Sequence, residues 1–198
     1  MKNILVTLHQ GLDKTKNLDF IAPLLLRLYL VPIFWMAGTH KIEGFDGIVE
    51  WFGNSDWGLG LPFPYIMAVL ATATELFGAI ALLIGAGVRW ISIPLMVTML
   101  VAAFSVHWEN GWQAISSVTS PFANERVTAA SEKLTIVKDV LQEHTNYDWI
   151  TSSGNVVMLN NGIEFAATYF IMLLALLFLG AGRYVSVDYW AKCWLYKK

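Results

Sequence analysis

The chain has 198 residues, of which 56% are hydrophobic and 14% charged, with a formal net charge of −2. Soluble domains carry about 25% charged residues, so this composition points to an integral membrane protein forming one domain over residues 1–198, and its charge gives no basis for nucleic-acid binding. A lone cysteine, Cys193, excludes an internal disulfide, a CxxC redox pair and a cysteine-rich metal site.

Residues 1–9 contain a short apolar stretch without a small-residue cleavage site, and Asp13, Lys14 and Lys16 follow it, so the segment reads as a retained amphipathic element. About 20 apolar residues are needed to cross the hydrocarbon core. Four runs meet this: residues 20–38, 64–86, 90–106 and 162–180. The second and third are separated only by Gly87, Val88 and Arg89, which makes them a tight antiparallel hairpin. Pro32 and Pro94 lie inside runs, where membrane helices tolerate them. The expected fold is all-α, a four-helix transmembrane bundle.

Orientation follows from basic residues. Lys2, Lys14, Lys16, Arg89, Arg183, Lys192, Lys197 and Lys198 fall on one side, against Lys41, Arg126, Lys133 and Lys138 on the other. The larger set places both termini in the cytoplasm. Residues 39–63 and 107–161 then form the outer connections. In the first, Phe45, Ile48, Val49 and Phe52 follow i, i+3, i+4, i+7, the spacing of an amphipathic helix, with Trp51 and Trp57 as interfacial flanks. In the second, Val127, Ala130, Leu134, Val137 and Leu141 form one stripe on a helix over residues 124–144. Such helices lie on a bilayer surface or on the bundle, or dock another protein.

Arg27 and Glu75 are ionisable groups inside apolar runs, and burying one at membrane depth costs at least about 2.5 kcal/mol. At 1.5 Å per residue, Arg27 lies roughly 10 Å and Glu75 roughly 16 Å from the cytoplasmic ends of their helices, a difference an arginine side chain spans. The expectation is an intramembrane polar pair. It either fixes helix register or handles protons or a ligand. Glu75 shares a helix face with Ala68, Ala71, Thr72, Gly78 and Ala79, small residues that mark a packed side.

A second cluster gathers near the outer face: His40, Lys41, His107, Trp108 and Glu164. Two imidazoles and a carboxylate at one depth can bind a metal or relay protons, and are equally ordinary interface polarity. No HxxxH or HExxH spacing supports a metal. Met96, Met99 and His107 share a face of the third helix, a soft-ligand set suited to copper, although a methionine stripe is commonly filler. Cys193, near Trp190 and Trp194, reads as an inert buried thiol.

The run 26–41 (LRLYLVPIFWMAGTHK) resembles the first helix of DoxX-family membrane proteins, with an arginine near its start and a Gly-x-x-Lys ending. Residues 75–85 (ELFGAIALLIG) resemble the family's second helix. Gly180, Gly182, Arg183, Ser186 and Asp188 resemble its C-terminal motif. Phe63 and Pro64, then His107, Trp108, Gly111 and Trp112, bring the chain closer to an HvfX-like subgroup found with maturation systems for copper-binding ribosomally made peptides. Its connection between the third and fourth spans is longer than in that subgroup. The resemblance implies a four-helix accessory protein of a redox-stress or copper-handling system, with protein partners in a membrane complex and a possible homo-oligomer. A related branch implies the alternative, a membrane subunit of a thiosulfate:quinone-type oxidoreductase in which Arg27, Glu75 and His107 handle quinone oxygens and protons. A small transporter is the least favoured, since the four runs show no inverted repeat. Whether the protein is an enzyme is left open, as is its cofactor, copper or quinone.

Overall fold

A computed structural model describes residues 11–196; the amphipathic segment expected over residues 1–9 lies outside the described residues. A 3-10 turn, Lys14–Leu18, is followed by eight α-helices: α1 (Ile21–Glu43), α2 (Phe45–Gly53), α3 (Pro64–Ile84), α4 (Val88–Val101), α5 (Glu125–His144), α6 (Tyr147–Thr151), α7 (Glu164–Leu179) and α8 (Val187–Leu195). Helix α4 continues through a π-helical segment, Ala102–His107, and a 3-10 turn, Trp108–Asn110. Among the described residues there is no β-strand, only an isolated antiparallel bridge between Ile115 and Leu159.

Among the described residues, three helices are long and apolar enough to cross a membrane: Ile21–Glu43, Pro64–Ile84 and Val88–Asn110. The fourth expected span is shorter than its apolar run. Helix α7 has 16 residues, about 24 Å of rise against a hydrocarbon core of about 30 Å. It opens at Glu164, inside the apolar run, and closes at the run's last residue, Gly180, whose N–H donates to Leu176 O.

The chain divides into two compact units, one running to Thr98 and resuming at Tyr169, the other Met99–Thr168. In the first, α1 packs most extensively on α3, and α2 packs on α3 as well. The α1–α3 approach is close because Gly38 faces Leu76. A Cβ on Gly38 would fall 2.6 Å from Leu76 Cγ and 3.3 Å from its backbone nitrogen. The small-residue face of α3 is packed as its sequence suggests, with Ala68, Thr72, Glu75, Gly78 and Ala79 all buried. The opposite faces carry exposed Phe77, Leu83, Trp90 and Phe178, an apolar belt suited to lipid. Pro32 and Pro94 sit inside α1 and α4 without ending either helix.

The α3–α4 turn depends on Gly85. Its φ of +70° is a left-handed conformation, and a Cβ there would sit 2.6 Å from both Arg27 Nη1 and Ser186 Cβ. Left-handed geometry costs other residues about 1–2 kcal/mol, and the clash adds to that. Gly85→Ala is expected to lose at least about 2 kcal/mol of stability, measured as thermal unfolding of the full chain in detergent. An unchanged melting temperature would contradict the tight packing described for this turn.

The second unit is held by buried polar groups. Asn160 is buried, and its amide nitrogen donates to the carbonyls of Asn110 (2.7 Å) and Gln113 (2.8 Å). The Asn124 side chain caps α5 by accepting from Val127 N–H at 2.9 Å. Of the expected α5 stripe, Val127 is fully buried, Ala130, Leu134 and Leu141 half-buried, and Val137 exposed. Ile136 and Val140 are exposed as well, so α5 presents apolar residues outward as an interfacial helix does.

Candidate functional site

The two ionisable groups expected to pair have different partners. Arg27 is buried at 1% exposure, and its guanidinium donates to backbone carbonyls throughout: Nε to Leu82 (2.8 Å), Nη1 to Ala181 and to Val185 (3.0 Å), and Nη2 to Leu83 (3.3 Å). The carbonyls of Leu82 and Leu83 belong to the last turn of α3, where no following turn supplies N–H donors. Ala181 and Val185 lie in the segment between α7 and α8. Arg27 therefore ties a helix end to the C-terminal segment.

Glu75 is paired with Lys41. The Lys41 ammonium lies 2.8 Å from Oε1 and 2.7 Å from Oε2, with the side chains 20% and 6% exposed respectively. The Arg27–Glu75 pair expected from depth is thus corrected. To reach the level of Glu75, the Arg27 side chain would have to pass the free carbonyls that end α3, and it bonds to those instead. Helix α1 extends past its apolar run to Glu43, so Lys41 is presented from a helix and turns inward. With Gly38 set against Leu76 and Arg27 against Leu82, the helices run antiparallel, and Lys41 stands about 3 Å beyond the level of Glu75, within reach of a four-carbon stem.

The C-terminal motif is a clasp. Asp188 accepts from the N–H groups of Gly87 (2.7 Å) and Val88 (3.0 Å), which begin α4, and its own N–H donates to Gly85 O at 3.0 Å. The Ser186 hydroxyl donates to Gly182 O at 2.7 Å and caps α8 by accepting from Tyr189 N–H. Arg183 pairs with Asp19, Nη2 to Oδ1 at 2.7 Å, which raises the guanidinium pKa above its ordinary value. Gly182 lies against Pro23 of α1, leaving no room for a Cβ. Cys193, expected to be buried, is exposed, because α8 is a short amphipathic helix whose last turns lack cover.

The outer cluster is divided between the units. His40 is exposed, 3.7 Å from Glu43, and Lys41 is engaged by Glu75. In the other unit, His107 Nδ1 lies 2.8 Å from Asn161 O. A carbonyl can only accept, so Nδ1 carries the proton and Nε2 is the basic nitrogen. Trp108 is exposed and stacks near Phe104, with ring centroids 5.2 Å apart. Glu164 Oε2 accepts from Ala114 N–H at 2.8 Å and helps line a groove of about 460 Å³ with Trp112 and Gln113. Met96 and Met99 are half-buried on α4. Among the described residues, no group of three or more His, Cys, Asp and Glu is placed to hold a metal ion.

Sequence reasoning missed Asn160 and the α1–α3 groove. Asn160 has no sequence signal, because its acceptors are backbone carbonyls. The groove is apolar, about 620 Å³, and walled by Trp35, Phe45 and Phe77 with Thr39, Thr72 and Leu76. Its spacing was legible only as core or lipid face.

Residues 22–108 match the DoxX family, a stretch that contains Arg27, Lys41, Glu75 and Gly85 and ends before the 180–188 motif. A Bacillus subtilis (strain 168) protein named "Putative oxidoreductase CatD" is 31% identical over 86 residues, covering 43% of this chain and 60% of that protein. "Inner membrane protein YphA" of Escherichia coli (strain K12) is 30% identical over 94 residues, 46% of this chain and 64% of that protein. The chain therefore spans less than two thirds of the length of either relative. No solved structure matches significantly.

Proposed function

We propose that the protein is a multi-pass accessory subunit of the bacterial inner membrane, with both termini cytoplasmic and α7 completing a four-helix bundle. It assists a redox-stress system or a copper-handling peptide maturation system of the HvfX-like kind, bound to protein partners. The observation that carries this reading is the engagement of the membrane-depth charges. Arg27 is held by carbonyls and Glu75 by Lys41, so the side chains best placed for chemistry are occupied in tying helices together. The likeness to an inner membrane protein supports the location.

A second reading, a membrane subunit of a quinone-linked oxidoreductase, is favoured by the apolar groove beside α3 and by the name of the Bacillus relative. Aromatic walls and a volume of about 620 Å³ suit a flat, prenylated ring. One preparation separates the two. The full chain, purified in mild detergent, is assayed for quinone and for copper, and its neighbours in native membranes are identified by crosslinking. The accessory reading expects crosslinks to redox or metal-handling subunits and no stoichiometric quinone. Stoichiometric quinone that disappears in Ala73→Phe, which fills the groove, would replace it with the second reading. Copper at one per chain, lost in His107→Ala, would specify metal handling.

A further inference from the structure

A cavity of about 260 Å³ opens in the first unit where α1 and α4 start, α7 closes and α8 begins. Asp19, Arg89, Gly182, Arg183, Asp188 and Lys192 are among its lining residues. Two carboxylates and three cations share the wall, but their obligations differ. Asp19 is neutralised by Arg183, at 2.7 Å from Nη2 and 2.9 Å from Nε, and Arg183 also donates to Lys16 O and Asn17 O. Asp188 is taken up by the two amides it caps. Arg89 uses Nε alone, donating to Leu177 O at 2.8 Å. Its terminal nitrogens, and the Lys192 ammonium, donate to no acceptor among the described residues. The wall keeps a net positive charge, with Arg89 and Lys192 lacking an ion-pair partner among the described residues.

The backbone points the same way. Ala181 is only 5% exposed, and the N–H groups of Ala181, Gly182 and Arg183 have no acceptor among the described residues. More than nine in ten buried backbone N–H groups are satisfied, so the unpaired amide of buried Ala181, next to the half-buried amides of Gly182 and Arg183 in a cationic cavity, calls for an oxyanion. Successive free amides of this kind form anion-binding concavities, and Arg with Lys is the side-chain set that holds phosphate. The surroundings give the phosphate a source. Arg89 and Trp90 open a membrane-length helix, and Trp90, Trp190 and Trp194 are 81%, 60% and 77% exposed, an aromatic belt at headgroup level.

We propose that this cavity binds a phosphate group, and that the group is the phosphodiester of an anionic lipid. Arg89 and Lys192 supply the charge and the 181–183 amides the directional hydrogen bonds. The site is independent of whether the protein serves as an accessory subunit or in an oxidoreductase.

The test is native mass spectrometry of the full chain in mild detergent, titrated with phosphatidylglycerol, phosphatidylcholine or inorganic phosphate. The expected result is saturable binding of one phosphatidylglycerol, with phosphatidylcholine bound at least fivefold more weakly. Arg89→Gln/Lys192→Gln should weaken phosphatidylglycerol binding by roughly twenty-five-fold, about fivefold for each charge removed. Lys133→Gln/Lys138→Gln, which removes the same charge from α5, should leave it unchanged. Equal loss in both double variants would mean diffuse electrostatics and overturn the site. Undiminished binding in Arg89→Gln/Lys192→Gln would do the same. Competition by inorganic phosphate at equal concentration would assign the cavity to a free anion and overturn the lipid. Circular dichroism and melting of each variant establish that it is folded; should Arg89→Gln/Lys192→Gln not fold, Lys192→Gln alone, on an exposed helix face, must show the fivefold loss.

Discussion

Lys41→Met is expected to destabilise the protein by about 3 kcal/mol, the range seen when one partner of a buried ion pair is removed. It leaves the Glu75 carboxylate, 6% exposed, without its only ion-pair partner among the described residues. Glu75→Gln should cost less, because the Lys41 side chain is 20% exposed and its stem can swing the ammonium toward the headgroups. Lys41→Met/Glu75→Gln should recover much of the loss of Lys41→Met alone. The cycle is read from melting of detergent-purified protein, and a double variant as unstable as the sum of the singles would remove the pair. A cycle between Arg27→Met and Glu75→Gln is expected to be additive within about 0.5 kcal/mol, since these residues have separate partners.

Arg27→Met should have the largest effect of any single change. It withdraws hydrogen bonds from Leu82, Leu83, Ala181 and Val185 at a position that is 1% exposed. Each stranded buried acceptor costs about 1–3 kcal/mol, so the loss should exceed about 4 kcal/mol and leave little folded protein. Arg27→Lys should rescue only partly. An ammonium keeps the charge but lacks the planar fork that reaches carbonyls on two segments at once. Yield of monodisperse protein and melting temperature check both variants. Melting of Arg27→Met within a degree of the parent chain would show that the carbonyl anchor contributes nothing.

The helices were legible because apolar runs report them directly: the run 64–86 became Pro64–Ile84, and the periodicity around Phe45 became Phe45–Gly53. Boundaries set by polar residues were less so. Hydropathy stops the first run at Gly38, whereas the helix continues to Glu43 because Lys41 has a buried partner. Arg27 and Glu75 were recognisable as costly groups, but their partners were not. Four backbone carbonyls carry no sequence signal, and Lys41 looked like an outer-face residue. The 180–188 motif was visible through family resemblance, and its role as a clasp emerges only from the bonds of Ser186 and Asp188.

The clasp also sets an order of events during biosynthesis. Asp188 completes a turn made by Gly87 and Val88, a hundred residues earlier in the chain. At translation rates of about 5–20 residues per second, the first hairpin waits roughly 5–20 s for the aspartate that caps it. Arg27 waits longer still for the carbonyl of Ala181. Until then the α3–α4 turn has free amides, and Arg27 on α1 lacks two of its acceptors. A ribosome that stalls or terminates before residue 180 leaves a chain whose most deeply buried charge has lost two of its four acceptors. Such a chain is expected to be less stable than the full one, so the seat of the first helix depends on residues made more than 150 positions later.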